Sequence, residues 1–356
     1  MIPIYVAVTA HGFGHATRTA AVMQALVRLN PEVLPIFVTP SPPWLLDKYM
    51  EGRYLHRPRR LDVGVIQKDG LQMDLEATLA ELAAFQQGSA QLIEAEVAFI
   101  ETNRVRLVFG DIPPIAAAIA NKARLPCWME GNFGWDFIYR PYGSEFKPYV
   151  QWIQDLYSRC DRLLKLPMHE PMAAFPHQEL VGMTGGDPRF RAEEVREKLS
   201  LDPDRPLVLL TFGGFGILDF PYAAIEKFPD WLFLTFDAHA PELPNLRCLN
   251  GEIWRPVDVM LLCSQVVSKP GYGTLSEALR LGIPMNCITR EGFAESPLLI
   301  EGLKRYGKHR IVPQEVFFEQ PWTFLEDPFV DPTHPEELDT QGNQAIAQAL
   351  NDYLTQ

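Results

Sequence analysis

Two histidines and two glycines follow the first apolar run of the chain. That run, residues 2–9, stops just before His11, Gly12, Gly14 and His15. A neutral histidine accepts a proton readily near neutral pH because its unperturbed pKa is about 6.5. Glycines let the backbone approach a ligand, and a following helix offers free N–H groups. The turn therefore predicts general-base chemistry beside a bound ligand. The alternative is a helix-capping turn whose histidines are incidental.

A second glycine-rich turn predicts a diphosphate site. It follows the apolar run 265–269 and precedes a helical pattern, so glycine backbone and helix N-terminus would face an anion. Lys269 is suited to neutralise phosphate, and Glu277, one turn into the helix, is suited to accept from a ribose diol. Alternatives are a capping turn with a surface Glu277 and an ordinary helix N-terminal acid at Glu295. Besides Lys269 and Glu277, the residues predicted to bind the ligand that carries the diphosphate come from both glycine-rich turns and from the ends of two further strands. They are Gly12, Gly14, Gly213, Gly214, Gly271, Gly273, Thr274, Ser276 and Glu295.

Polar and aromatic residues after two further strands predict a site for a hydroxylated molecule. Asp111 follows one strand, and Asn132, Trp135 and Asp136 follow the next. Carboxyl ends of parallel strands share one sheet edge, where ligands bind. Hydrogen bonds and aromatic stacking there would hold a hydroxylated acceptor. A plain helix N-cap at Asp111 and structural packing of Trp135 are the alternatives.

Several other chemistries have no support in the sequence. None of the five cysteines has metal-ligand spacing, and the Asp-Pro-Asp at 202–204 reads as a turn. Neither a phosphate-binding P-loop nor a serine-nucleophile elbow occurs, and Thr17 breaks the dinucleotide fingerprint. We therefore expect no metal and no cofactor.

Composition limits the partners. The chain has 356 residues and a net charge of −13, so its field repels nucleic-acid phosphates. It has no apolar run of the roughly 20 residues that a membrane span needs and no signal-peptide pattern at residues 1–10. We expect a cytoplasmic protein with no nucleic-acid partner and no transmembrane segment.

Strand-like runs alternate with helical segments along the chain, which predicts an α/β fold with doubly wound parallel sheets. The pattern breaks near residues 185–188 and then restarts. We predict an N-terminal domain at 1–188, a C-terminal domain at 189–330, and a tail with a final helix at 331–356. The 28-residue segment 75–102 is the longest predicted helix.

Together these motifs resemble the GT-B glycosyltransferases, and among them the glycosyltransferase-like half of plant L-arabinokinase. The resemblance lies in HGFGHATR, NFGWDFIY, FGG, GYGTLSEAL and REGFAESP, at residues 11–18, 132–139, 212–214, 271–279 and 290–297. It implies two Rossmann-like domains facing across a cleft, and a last helix that returns to the first domain. The C-terminal domain would bind a nucleotide-sugar, and the N-terminal domain a small-molecule, lipid or glycan acceptor.

The resemblance also implies roles for residues. His15 corresponds to the catalytic base, with His11 in reserve, and Lys269 and Glu277 correspond to phosphate- and ribose-binding positions. Lys269 replaces the first glutamate of the Glu-x7-Glu pair common in retaining enzymes, which favours inversion. The expected activity is metal-independent transfer of a sugar, with UDP the expected nucleotide. A nucleotide-sugar epimerase or hydrolase and a non-catalytic nucleotide-sugar-binding protein remain alternatives.

Overall fold

The computed structural model describes residues 1–214 and 216–356 and divides them into two compact units. The N-terminal unit comprises Met1–Gln67, Met73–Gly185 and Asp339–Gln356. The C-terminal unit comprises Lys68–Gln72 and Gly186–Leu338. Among the described residues, no helix is both long and apolar enough to cross a membrane.

A parallel seven-stranded sheet forms the centre of the N-terminal unit. The strand order is β3-β2-β1-β4-β5-β6-β7. Strands before β4 are added on one side of β1 and those from β4 onwards on the other, so the strand order reverses between the parallel strands β1 and β4. Because β1, β4 and β5 are fully or nearly fully buried, they read as apolar runs in the sequence. The strands are β1 Ile2–Val8, β2 Val33–Val38, β3 Leu55–Arg57, β4 Leu107–Asp111, β5 Cys127–Gly131, β6 Arg162–Lys165 and β7 Gln178–Leu180.

Helices connect these strands. The longest, α3, begins after Asp74, whose side chain accepts a hydrogen bond from the Ala77 backbone N–H as an N-cap. The helices are α1 Phe13–Leu29, α2 Pro43–Asp47, α3 Leu75–Thr102, α4 Ile115–Ala123, α5 Trp135–Tyr139 and α6 Lys147–Tyr157, with short 3₁₀ turns at Arg140–Tyr142 and Ser144–Phe146.

The C-terminal unit repeats the arrangement with six parallel strands in the order β10-β9-β8-β11-β12-β13. Two buried apolar clusters cover the faces of this sheet. Its strands are β8 Leu207–Leu210, β9 Leu232–Thr235, β10 Leu246–Cys248, β11 Gln265–Ser268, β12 Met285–Ile288 and β13 His309–Val312. Its helices are α7 Ala192–Lys198, α8 Pro256–Met260, α9 Tyr272–Leu281, α10 Glu295–Tyr306 and α11 Gln314–Glu319, with 3₁₀ turns at Tyr222–Lys227, Thr323–Leu325 and Pro335–Glu337.

The last helix, α12 Gly342–Leu354, belongs to the N-terminal unit and packs against α1. Asn30 Nδ2 donates to Asn351 Oδ1 at 2.9 Å, and Asn343 Nδ2 donates to the Gly185 carbonyl oxygen at 2.8 Å. Tight packing accompanies these bonds, because a Cβ on Gly342 would lie 2.1 Å from the Gly182 carbonyl oxygen.

The unit boundaries differ from the sequence-based ones in three places. The first unit ends at Gly185 rather than at 188, and the second ends at Leu338 rather than at 330. Residues 331–338 therefore belong with the C-terminal unit. The third difference has no counterpart in the sequence pattern: Lys68–Gln72 leaves the N-terminal unit and packs with the C-terminal one.

Candidate active site

The histidine turn lies at the carboxyl edge of the N-terminal sheet, beside the point where the strand order reverses. Val8 at the end of β1 pairs with Asp111 at the end of β4. Gly12 caps α1 with φ of 71°, a left-handed conformation that favours glycine. His15 therefore lies in the first turn of α1, which begins at Phe13, whereas the helical spacing in the sequence predicts a helix only from Ala16.

His15 and Asp111 form a hydrogen-bonded pair. Their Nδ1 and Oδ1 atoms are 2.9 Å apart, and His15 is 8% exposed while Asp111 is fully buried. In the tautomer protonated at Nδ1, the ring donates to the carboxylate and leaves Nε2 as the proton acceptor. This arrangement is that of a histidine prepared for general-base catalysis.

Arg18 completes the pair on the same face of α1. Its Nε and Nη2 donate to the two oxygens of Asp111 at 2.7 and 2.6 Å, and its Nη1 donates to Asn132 Oδ1 at 3.1 Å. Although burial raises the pKa of Asp111, the charges of Arg18 and His15 and their hydrogen bonds hold it below its ordinary value. Asp111 is therefore a carboxylate at all physiological pH values. Sequence reasoning assigned no role to Arg18, although it lies three residues from His15 in the same motif.

A buried carboxyl group lies next to this cluster. Glu130 is fully buried, and burial together with the nearby charge of Asp111 raises its pKa to about 8. The Thr19 hydroxyl lies 3.0 Å from Asp111 Oδ2 and 3.1 Å from Glu130 Oε1. Glu130 is thus mostly protonated at neutral pH, which avoids a second buried negative charge beside Asp111.

The predicted acceptor-binding residues are all buried. Asp111, Asn132, Trp135 and Asp136 have at most 3% of their surface exposed. Trp135 Nε1 donates to Asp62 Oδ2 at 2.9 Å, and Asp136 Oδ2 accepts from Arg140 and Gln154. These hydrogen bonds lie inside the unit, and the predicted contact of the four residues with an acceptor stays a prediction.

His11 packs against Trp135. Its ring meets Trp135 edge to face at a centroid distance of 5.2 Å, and the Val65 backbone N–H donates to its Nδ1 at 3.4 Å. Gly64 permits this approach, since a Cβ there would lie 3.0 Å from the His11 Cβ. His15, whose Nδ1 lies 2.9 Å from Asp111 Oδ1, stays the first candidate for the base, and the reserve role of His11 stays a prediction.

In the C-terminal unit, three strand ends carry the predicted phosphate-binding residues. Gly213 and Gly214 follow β8 and are exposed, and Gly213 has a φ of 73°. Lys269 follows β11, and a Cβ on Gly271 would lie 4.0 Å from its Nζ. Glu295 follows β12 as the first residue of α10. The cation therefore lies near the N-cap of α9, whose first turn contains no acidic residue.

The pKa of Lys269 lies near neutral pH. Burial, followed by the nearby Arg290, lowers its pKa to about 7, while Glu295 and Asp69 act in the opposite direction. Arg290 is itself 6% exposed, and its guanidinium lies 4.1 Å from the centroid of the Phe293 ring. Two neighbouring cations, Lys269 partly buried and Arg290 buried, favour binding of an anion.

Helix α9 begins earlier than the sequence pattern indicates. The helical spacing in the sequence predicts a helix over residues 276–281, whereas α9 starts at Tyr272, so Gly273 and Thr274 lie in its first turn. Ser276 lies one turn further on and is fully buried, and its predicted contact with a diphosphate stays a prediction.

Glu277 lies in the second turn of α9 and is 6% exposed. Burial raises its pKa to about 7, against the opposing charges of Arg255 and Arg280, and the Gly186 backbone N–H donates to it. Hydrogen-bond donors brought by a ligand would favour its ionised form. Its predicted contact with ribose stays a prediction.

No group of three or more His, Cys, Asp or Glu side chains is arranged to hold a metal ion within residues 1–214 and 216–356.

Comparisons with known proteins agree with this architecture. No protein-family model matches the chain. The sequence is 32% identical over 309 residues to L-arabinokinase of Arabidopsis thaliana, which covers 84% of this chain and 29% of that protein. The chain thus spans less than a third of the length of this curated relative.

Solved structures share the fold along the whole chain. The calicheamicin glycosyltransferase CalG4 superposes with a TM-score of 0.66 at 16% identity, covering 100% of this chain and 99% of that one. A Medicago truncatula protein in complex with UDP-glucose gives a TM-score of 0.55 at 14% identity, with coverage of 99% and 90%. The chain therefore has the GT-B fold that these glycosyltransferase structures share, and most of its length is related in sequence to part of L-arabinokinase.

Proposed function

We propose that the protein transfers a sugar from a nucleotide-sugar to a hydroxylated acceptor. The observation that carries the proposal is the pairing of His15 with a buried, ionised Asp111 at 2.9 Å. A histidine held in this way is prepared to accept a proton from a hydroxyl group. The fold shared with glycosyltransferases is consistent with this reaction but does not by itself establish it.

In the proposed reaction, His15 Nε2 removes the proton of the acceptor hydroxyl while the oxygen attacks the anomeric carbon. The bond between that carbon and the diphosphate breaks, and the electron pair leaves with the diphosphate. Asp111 stabilises the imidazolium that forms, and Arg18 keeps Asp111 ionised. A single displacement of this kind inverts the anomeric configuration.

The C-terminal unit is proposed to bind the donor. Lys269 and the N-terminus of α9 would stabilise the charge that develops on the leaving diphosphate, which is the role a metal plays in other systems. We therefore propose metal-independent transfer without a further cofactor. Glu277 is proposed to accept hydrogen bonds from the ribose. UDP is the proposed nucleotide, and the Medicago truncatula neighbour bound to UDP-glucose supports that choice.

The acceptor is proposed to be a small molecule, a lipid or a glycan that binds at the His15 edge of the N-terminal sheet. The net charge of −13 disfavours nucleic acid as a partner, and we propose a cytoplasmic location. The sugar-kinase activity named in L-arabinokinase is not part of the proposal, since the chain spans only 29% of that protein.

The test compares His15→Ala with His334→Ala, a control at an exposed histidine in the C-terminal unit. Each variant is titrated with UDP by calorimetry and assayed for sugar transfer from UDP-glucose to a panel of hydroxylated acceptors. We expect His15→Ala to lose transfer by a factor of at least about 100 and to keep UDP affinity within about twofold.

Three outcomes would contradict the proposal. Loss of UDP binding in His15→Ala would contradict the proposal that His15 acts as the base while the C-terminal unit binds the donor. Formation of a new sugar, or fast release of sugar from UDP-glucose without any acceptor, would indicate an epimerase or hydrolase. Persistent UDP binding without turnover would indicate a nucleotide-sugar-binding protein instead of an enzyme.

A further inference from the structure

A short turn from the first third of the chain is built into the C-terminal unit. Residues Lys68–Gln72, hereafter the 68–72 turn, form the tip of a hairpin closed by a bridge between Gln67 and Met73. The Gly70 backbone N–H donates to the Gly216 carbonyl oxygen at 2.9 Å. This bond joins the turn to the glycine-rich loop that follows β8.

Asp69 fastens the turn to that loop. It is 2% exposed, and its Oδ2 accepts from the Leu218 backbone N–H at 3.1 Å. Its Oδ1 accepts from the Leu71 and Gln72 backbone N–H groups at 2.8 Å each. One buried carboxylate therefore holds both the shape of the turn and the position of the loop, and its removal leaves the backbone N–H groups of Leu71, Gln72 and Leu218 without this acceptor.

Gly70 brings the turn against Lys269. A Cβ on Gly70 would lie 2.6 Å from the Gly216 carbonyl oxygen and 3.2 Å from the Lys269 Cε. The backbone of the turn therefore packs on the aliphatic stem of Lys269, whose ammonium lies near Gly271 at the start of α9. The side chain at position 70 must be absent for this packing to exist.

The charges around the ammonium add a second link. Asp69 and Glu295 favour the protonated form of Lys269, whereas Arg290 disfavours it. Since Glu295 follows β12 and Asp69 comes from the 68–72 turn, the turn supplies one of the two carboxylates that support this cation.

We propose that the 68–72 turn is a positioning element of the diphosphate site, in which Asp69 and Gly70 fix the glycine-rich loop and the Lys269 ammonium for the donor. The proposal rests on the proposed function, because it assumes that a nucleoside diphosphate binds beside Lys269. It adds to that site a segment remote in sequence from the other donor-site residues.

The experiment measures UDP affinity by calorimetry in the full-length protein, for Asp69→Asn and Gly70→Ala. Asp74→Asn and Gly88→Ala are the matched controls. Asp74 also accepts a backbone N–H but caps α3, and Gly88 has open space for a Cβ. We expect both test variants to bind UDP at least about tenfold more weakly. Asp69→Asn weakens hydrogen bonds to a charged group, and Gly70→Ala places a Cβ against the Gly216 carbonyl oxygen and the Lys269 side chain. Both controls should stay within about twofold.

A pH series separates positioning from general loss of structure. UDP affinity should fall as the pH rises and Lys269 loses its proton. In Asp69→Asn this fall should occur at a lower pH than in the unsubstituted protein, because Lys269 loses a carboxylate that favours its protonated form. Thermal unfolding identifies a variant that does not fold, in which case the other variant decides. Unchanged UDP affinity in a folded test variant would overturn the inference about the 68–72 turn and leave the proposed function standing. If the unsubstituted protein binds neither UDP nor UDP-glucose, the proposed donor site fails and the inference with it.

Discussion

Replacement of Lys269 by Met should stabilise the protein and weaken donor binding at the same time. Burial lowers the pKa of Lys269 from 10.5 to about 7, so the fold favours the uncharged amine. At about 1.4 kcal/mol for each pKa unit, this corresponds to an upper limit of roughly 4 kcal/mol of lost stability at pH 7. Met keeps the length of the side chain and removes the charge.

We expect a smaller gain than this limit, about 2 kcal/mol, because the Lys269 side chain is only partly buried. That gain would raise the unfolding midpoint by roughly 4–8 °C for a unit of this size. The gain should be fully present below pH 7 and should disappear as the pH rises from 7 towards 10.5, since the amine is then uncharged in both states. Thermal unfolding across a pH series measures both effects.

Donor affinity should change in the opposite direction. Loss of a charge-assisted bond to phosphate weakens UDP binding by about 10- to 100-fold. Lys304→Met is the control, because Lys304 is exposed and pairs with Glu301 within its own helix; it should change neither quantity appreciably. A Lys269→Met variant that melts earlier and binds UDP normally would refute the reasoning about this cation.

Three further substitutions test the two units. Asp111→Asn leaves Arg18 buried without its carboxylate and should destabilise the protein by about 3–5 kcal/mol in urea unfolding. Glu277→Gln should raise stability by up to about 3 kcal/mol above pH 7, because burial raises the pKa of Glu277 to about 7; the gain should vanish below pH 4.5, and UDP affinity should fall. Gly342→Ala should lower the free energy of unfolding in urea by about 1–3 kcal/mol, because its Cβ would lie 2.1 Å from the Gly182 carbonyl oxygen. No loss in Gly342→Ala would argue against the tight packing of α12.

The main strands could be predicted because they are buried on both faces. Such strands consist of apolar residues along their whole length, as in β1 and β8, and the pattern is local. The edge strands β3, β7, β10 and β13 were missed. Each has three or four residues, at least two of which are partly or fully exposed, so it carries no continuous apolar run. Only pairing with a neighbouring strand makes these segments part of a sheet.

Residue types at the strand ends were informative for a related reason. Glycine-rich turns after buried strands mark the sheet edge where ligands bind in doubly wound folds, which pointed to His15 and Lys269. The roles of Asp111 and Asp69 were not accessible in the same way. Asp111 lies 96 residues from His15, and no local pattern records that separation. The partners of such carboxylates depend on how distant strands pair.

The sequence by itself determined the repeated alternation of strand and helix, the order of the two units and the glycine-rich ends of the strands, because each depends on neighbours a few residues away. The tertiary structure alone decided which charges are buried together. The shifted pKa values of Lys269, Glu130 and Glu277 arise from burial and from charges contributed by other elements. It also decided that Lys68–Gln72 packs with the C-terminal unit, since that packing depends on Gly216 and Leu218, about 150 residues later.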